Sequence, residues 1–313
     1  MSYTGPEFET PQPRRPRRGP MTVALAALVP GALLGWVVYE AVGGGGGNGS
    51  GRTASVAPAS THSAAPSTRS ASPDGAPGDD SKAAGTSLPL TGKVVVIDPG
   101  HNQGNFQHAT EINRQVDIGT NRKECDTTGT STNDGYTEAR FTLDVAHRLR
   151  TLLEQQGATV KMTRDGDSPA WGPCVDERAR FGNNAHADAA ISIHADGSAE
   201  GDRGFHVILP GAVHAGAADT RKMVGPSRDL GTRVAGNFLR DTGEPPSNYV
   251  GKGTGLVTRT DLGGLNLSTV PKVFIECGNM RDSKDAALLT SGAWRQRAAQ
   301  GISDGIVSFL RGS

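Results

Sequence analysis

Apolar positions in this chain fall into short continuous runs: "KVVVID", "ATVKMT", "AAISIHAD", "GFHVIL" and "KVFIEC". Because they do not alternate with polar positions, they read as strands buried on both faces. Between them the spacing turns helical. From Tyr136 to Gln156 the apolar residues Phe141, Val145, Leu149, Leu152 and Leu153 recur every three or four positions, which predicts an amphipathic helix. A shorter helix is predicted over Val175 to Ala185, and two more over Arg228 to Asp241 and Ala293 to Leu310. Strands alternating with helices imply an α/β fold, a mostly parallel sheet with helices on both faces, in a single domain over 88–313. Ligand sites in such sheets lie beyond the carboxyl ends of the strands.

The chain before this domain reads as three segments. Residues 1–20 are polar and carry the basic cluster Arg14, Arg15, Arg17 and Arg18. "MTVALAALVPGALLGWVVY" then runs for 19 residues, Met21 to Tyr39, without a charge. That is close to the ~20 residues that span a bilayer as a helix, and membrane helices tolerate Pro30 and Gly31. The arginines before the run predict a cytoplasmic amino terminus. Residues 21–42 are therefore read as a transmembrane signal-anchor, with the domain outside the cytoplasmic membrane. A cleaved signal peptide and secretion is the rival, but the run is long for a signal core and "YEAVGGGGG" offers no clean small-x-small cleavage site. Residues 43–87, rich in Gly, Ser, Ala, Thr and Pro, cannot bury enough to offset ordering entropy and read as a disordered tether.

Composition narrows the class only slightly. The formal net charge is +0 and the pI near 7.1, so no charge imbalance argues for nucleic acid. The domain from Leu88 to Ser313 has 313 − 87 = 226 residues, enough for one core.

Strand endings carry the candidate chemistry. "VVVID" ends in Pro-Gly-His101, "AISI" in His194-Ala-Asp196, and "VFI" in Glu276. Glu138 opens the long helix, where the helix dipole alone would also favour an acid. Two imidazoles and a carboxylate suit a tetrahedral zinc site with a position left for water. His101, Glu138 and His194 are the candidate ligands, and Glu276 the candidate base and acid. H-E-x-x-H is absent. "HATE" offers His108 and Glu111 at a spacing some zinc carboxypeptidases use, but in a polar, turn-rich stretch. His62 falls in the tether; His147, His186, His206 and His214 read as surface or core residues.

Taken in order, "VVIDPGHNQGN", "NDGYTEA", "ISIHADG", "RTDLGGLNLS" and "VFIECGNMRD" resemble the zinc-dependent N-acetylmuramoyl-L-alanine amidases of the amidase-3 type, especially compact exported mycobacterial ones. The resemblance covers about Gly92 to Leu310. It implies a twisted, mostly parallel sheet, zinc held by His101, Glu138 and His194, and catalysis by Glu276. The implied reaction is hydrolysis of the amide between the lactyl group of N-acetylmuramic acid and L-alanine of the peptidoglycan stem peptide. Two alternatives stay open: a zinc peptidase or deacylase of the same fold acting on wall peptides, and a catalytically inactive wall-binding protein. The resemblance also suggests that "TGLVTRTDLGGLNLS", Thr254 to Ser268, borders the cleft as a loop, with Arg259 placed to pair with a stem-peptide carboxylate. The domain is expected to be monomeric.

Three cysteines remain, Cys125, Cys174 and Cys277. Outside the membrane the setting is oxidising; Cys125 lies in a polar loop and Cys174 just before a helix, in "GPCVDER", and a bond between them is expected, with three free thiols as the alternative. It would tether an irregular segment, Asn102 to Thr132, over the His101 turn. Cys277 should point away from Glu276 across the strand and read as a buried thiol rather than a nucleophile.

Overall fold

The computed structural model describes residues 87–166 and 168–312. The basic tail, the apolar run and the tether up to residue 86 lie outside the described residues, as does His62. Among the described residues no helix is long and apolar enough to cross a membrane.

In chain order the elements are β1 (Val94–Pro99), α1 (Ala109–Ile112), β2 (Gln115–Asp117), β3 (Arg122–Glu124), α2 (Glu138–Gln155), β4 (Thr159–Met162), α3 (Val175–Asn184), β5 (Ala189–Asp196), β6 (His206–Pro210), β7 (His214–Ala215), β8 (Ala218–Asp219), α4 (Val224–Thr242), β9 (Leu256–Arg259), α5 (Gly263–Asn266), β10 (Lys272–Asn279), α6 (Ser283–Leu289) and α7 (Gly292–Arg311). Six strands form one sheet in the order β4-β1-β5-β10-β6-β9. The pairs β1–β4, β1–β5, β5–β10 and β6–β9 are parallel, whereas β6 runs antiparallel to β10. The α/β domain is as expected, with a sheet that is mixed. Between β5 and β6 the chain has only 205 − 196 = 9 residues. A parallel return needs a crossover of about a dozen or more, so β6 comes back the other way.

Residues paired across a sheet share a face. Ile97, Ile191 and Val273 pair across the central strands and enter the main core with Phe141, Leu149 and Leu153 of α2, Val234 and Phe238 of α4, and Trp294 and Ile302 of α7. Truncating one such fully buried aromatic, Phe141→Ala, costs about 3–5 kcal/mol by the usual transfer and cavity contributions. Helices α4 and α7 approach closely because Gly305 faces α4: a Cβ there would lie 2.5 Å from the Val234 Cα. The opposite face carries Asp98, Ser192 and Phe274 in one register row, then His194, Glu276 and His206 in the next. Its apolar patch is small, Val96, Ala187, Ala190 and Val270, and Gly182 of α3 lies against it. Helices therefore cover both faces unequally. The runs that looked uniformly apolar alternate between a greasy face and a polar one.

Other corrections are local. Helix α4 begins at Val224, four residues before the expected start; Pro226 sits in its first turn, where no backbone N–H is needed. The segment after His101 is ordered: it holds α1 and the β2–β3 hairpin. Cys125 and Cys174 are bonded, 49 residues apart, inside a small core with Val116 and Ile118. Cys277 is free and buried, in the main core and so on the opposite face from Glu276.

Candidate active site

Strand β1 delivers the first candidate ligand. Asp98 is fully buried and accepts from Lys272 Nζ at 3.0 Å, Ser192 Oγ at 3.0 Å, Thr163 Oγ1 at 2.7 Å and Arg178 Nη1 at 2.8 Å. These cations outweigh its burial and hold its carboxyl well below the usual carboxylate range. Pro99 ends the strand, and Gly100 lets the turn pass under His194: a Cβ on Gly100 would stand 2.2 Å from the His194 Cε1. His101 then adopts φ +55°, a left-handed conformation uncommon for a side chain of this size.

The turn brings three side chains together. Glu138, the first residue of α2, offers Oε2 to His101 Nε2 at 3.2 Å and Oε1 to His194 Nδ1 at 2.9 Å. Backbone N–H groups of Thr130 and Ala195 donate to the same carboxylate at 3.0 and 3.2 Å. The two imidazoles meet edge to face with centroids 4.9 Å apart, and His194 stacks on Phe274 at 5.3 Å. One donor atom from each of His101, Glu138 and His194 lies within 4.8 Å of the others, and among the described residues this is the one group of three or more such side chains that could hold a metal ion.

Electrostatics support that reading. Burial disfavours a charged His101, yet the Glu138 charge and hydrogen bonds to Asp126 and Glu138 raise its pKa to about 10. A proton is thus held where a cation fits, between carboxylates short of positive charge. Glu138 is held well below the usual range by the histidines, against the cost of its burial.

Glu276 of β10 sits beside His194 in register. Its Oε2 is buried with no hydrogen-bond partner. Burial first, then the Glu138 and Asp196 charges, push its carboxyl well above the usual range. A cleft of about 330 Å³ joins Glu276 to His101, Glu138, His194, Arg259 and Leu262. A second hollow of about 230 Å³ continues past Phe274 and Leu262 towards Lys123 and Gly263.

The remaining candidates separate from this cluster. His108 pairs with Glu111 at 3.4 Å, and neither belongs to the three-residue group. His147 pairs with Asp165 at 2.6 Å near the surface; His186 and His214 are exposed and His206 is buried. The Thr254–Ser268 stretch is not a plain loop, since it contains β9 and α5. Arg259 reaches the cleft, but its guanidinium is forked onto Asp261 at 2.8 and 2.6 Å, and Lys123 shares that carboxylate at 3.2 Å. Sequence reasoning passed over Asp98, Asp126, Arg178 and Phe274. Only Asp98 had a signal, a charged residue ending an apolar strand.

Fold and site together define an α/β enzyme domain with a candidate single-metal centre beyond its strand ends. The family model Amidase_3, N-acetylmuramoyl-L-alanine amidase, matches residues 95–308, and the chain belongs to that family. It is 40% identical over 231 residues to the N-acetylmuramoyl-L-alanine amidase Rv3717 of Mycobacterium tuberculosis, covering 74% of this chain and 91% of the relative. The crystal structure of the amidase Ami1 from Mycobacterium smegmatis superposes with a TM-score of 0.65 at 40% identity, over 72% of this chain and 99% of that one. Apo Ami1 from Mycobacterium abscessus gives 0.64 at 39% identity, over 71% and 100%.

Proposed function

We propose that this chain is a zinc-dependent N-acetylmuramoyl-L-alanine amidase that hydrolyses the amide between the lactyl group of N-acetylmuramic acid and L-alanine of the stem peptide. The amidase activity follows from the family; zinc and the residue roles are our reading. The observation that carries it is the convergence of His101, Glu138 and His194 beside a buried carboxylate, Glu276, with a partnerless oxygen.

The donor set fits zinc: two nitrogens and one oxygen, with the backbone amides of Thr130 and Ala195 fixing the carboxylate. When bound, zinc supplies Lewis acidity that polarises the scissile carbonyl and acidifies water. The other steps belong to the chain. Phe274 fixes the plane of His194. Glu276, whose proton affinity is raised, takes the proton from the attacking water and delivers it to the leaving nitrogen of L-alanine. Arg259 sits at the cleft wall with a partly exposed pair to Asp261. Such pairs are worth only about 0.2–1 kcal/mol, so a stem-peptide carboxylate can share the guanidinium.

Residues 88–313 form the catalytic domain, which acts as a monomer. Arg14 to Arg18 before the uncharged run Met21 to Tyr39 support an anchor in the cytoplasmic membrane with the domain in the envelope. A reporter fused after the carboxyl terminus should be active only when exported, and a mature amino terminus near residue 42 would replace the anchor by a cleaved signal. Function itself is tested by digesting purified peptidoglycan and identifying products by mass. Intact stem peptides with a free L-alanine amine are expected. Shortened peptides would indicate a peptidase, and loss of an acyl group from the wall peptides a deacylase.

A further inference from the structure

The Arg178 guanidinium is buried, 5% exposed, and lies on a different element from every candidate ligand. Its nitrogens reach six acceptors. Nε donates to Pro173 O at 2.8 Å, and Nη1 to Asp98 Oδ1 at 2.8 Å and Pro99 O at 2.7 Å. Nη2 faces Asp126 Oδ2 at 3.0 Å, His101 O at 3.1 Å and Gly172 O at 3.2 Å.

Two of these contacts lead to one residue, His101. The backbone carbonyl of His101, in its left-handed conformation, is held directly. The other route runs through Asp126, whose Oδ1 accepts from Thr127 N at 2.8 Å. The Thr127 carbonyl lies 3.1 Å from His101 Nδ1, and Asp126 Oδ1 itself lies 3.5 Å from that nitrogen. Nδ1 is turned to the Thr127 carbonyl, so Nε2, 3.2 Å from Glu138 Oε2, is the nitrogen left to hold a metal ion.

We infer that Arg178 is a positioning residue for the candidate metal ligand His101, fixing its backbone through the carbonyl and its tautomer through Asp126 and Thr127. The inference rests on the zinc reading above. A packing role alone would need the charge and the volume of Arg178, which a lysine largely supplies. It would not need the planar fork that reaches Asp98, His101 and Asp126 together.

The test measures zinc dissociation constants by chelator competition for the full chain, for Arg178→Lys, for Asp126→Asn and for the double variant. Urea unfolding of each metal-free protein runs alongside. Each single variant should weaken zinc by roughly 10–100-fold, with the double variant well short of the product, because Arg178 and Asp126 are in contact and both hold His101. Cobalt-substituted Arg178→Lys should also show an altered visible absorption spectrum. Unchanged zinc affinity in a folded Arg178→Lys overturns the inference, even if stability falls. Should Arg178→Lys not fold, Asp126→Asn decides, and wild-type zinc affinity there overturns it. A wild-type chain that binds no zinc overturns the zinc reading instead.

Discussion

Replacing Glu276 by Gln preserves shape and removes the proton acceptor. Its Oε2 has no partner to lose, and its Cα is paired in the middle of β10, so the fold should stand. A positioned general acid–base group contributes about 10²–10⁴-fold. At about 1.36 kcal/mol per decade, that is ~3–5 kcal/mol of barrier, and one carboxylate serving both half-steps places the loss at the upper end. Steady-state release of stem peptides from a defined muropeptide measures it, with zinc content determined on the same sample. Zinc should stay at the wild-type level while turnover collapses. Loss of zinc in step with activity would make Glu276 a support for the ligands, and near wild-type turnover would refute the mechanism.

The same substitution carries a pH signature in the metal-free protein. Burial and the Glu138 and Asp196 charges raise the folded-state pKa of Glu276 above its ordinary value of 4.5. A raised carboxyl contributes stability that is present below the unfolded pKa and lost as pH rises through the folded one. Gln carries no charge to bury, so metal-free Glu276→Gln should melt higher than metal-free wild type at pH 8. That advantage should vanish near pH 4. Equal melting at pH 8 would mean that the buried carboxylate is not destabilised as described.

The Cys125–Cys174 bond closes a 49-residue separation, so Cys125→Ser with Cys174→Ser should lower stability by up to about 4 kcal/mol on the loop-entropy model; peptide mapping without reductant should find this linkage and Cys277 free. Arg259→Ala should raise KM for stem-peptide substrates while leaving zinc bound, since Arg259 lines the cleft without belonging to the donor group; unchanged kinetics would return it to pairing with Asp261.

Much of the candidate site was legible because the sheet presents it at strand ends. "VVVID" and "VFIEC" announce buried strands, and the groups that follow or finish them are where an α/β sheet displays chemistry. What the runs hid was their own alternation. In "ISIHAD" the residues Ser192, His194 and Asp196 face away from Ile191, Ile193 and Ala195, but alanine and serine are too small to mark the change of face. The direction of β6 was readable only from the short connection before it. Asp126 and Arg178 were opaque for a different reason. In "ECDTT" and "VDERAR" they look like solvent charges, and only the fold shows that they are buried and joined at 3.0 Å. Strand β9 was concealed by the glycines and polar residues around it.

Zinc titration of the metal-free full chain, followed simultaneously by bound metal and by release of free stem peptides, bears most directly on the His101–Glu138–His194 site. Activity should rise in proportion to zinc and level off at one equivalent per chain, while His101→Ala and His194→Ala remain folded but take up no zinc at that concentration and release no peptide. Full activity in the metal-free protein, or one tightly bound zinc in either histidine variant, would contradict it.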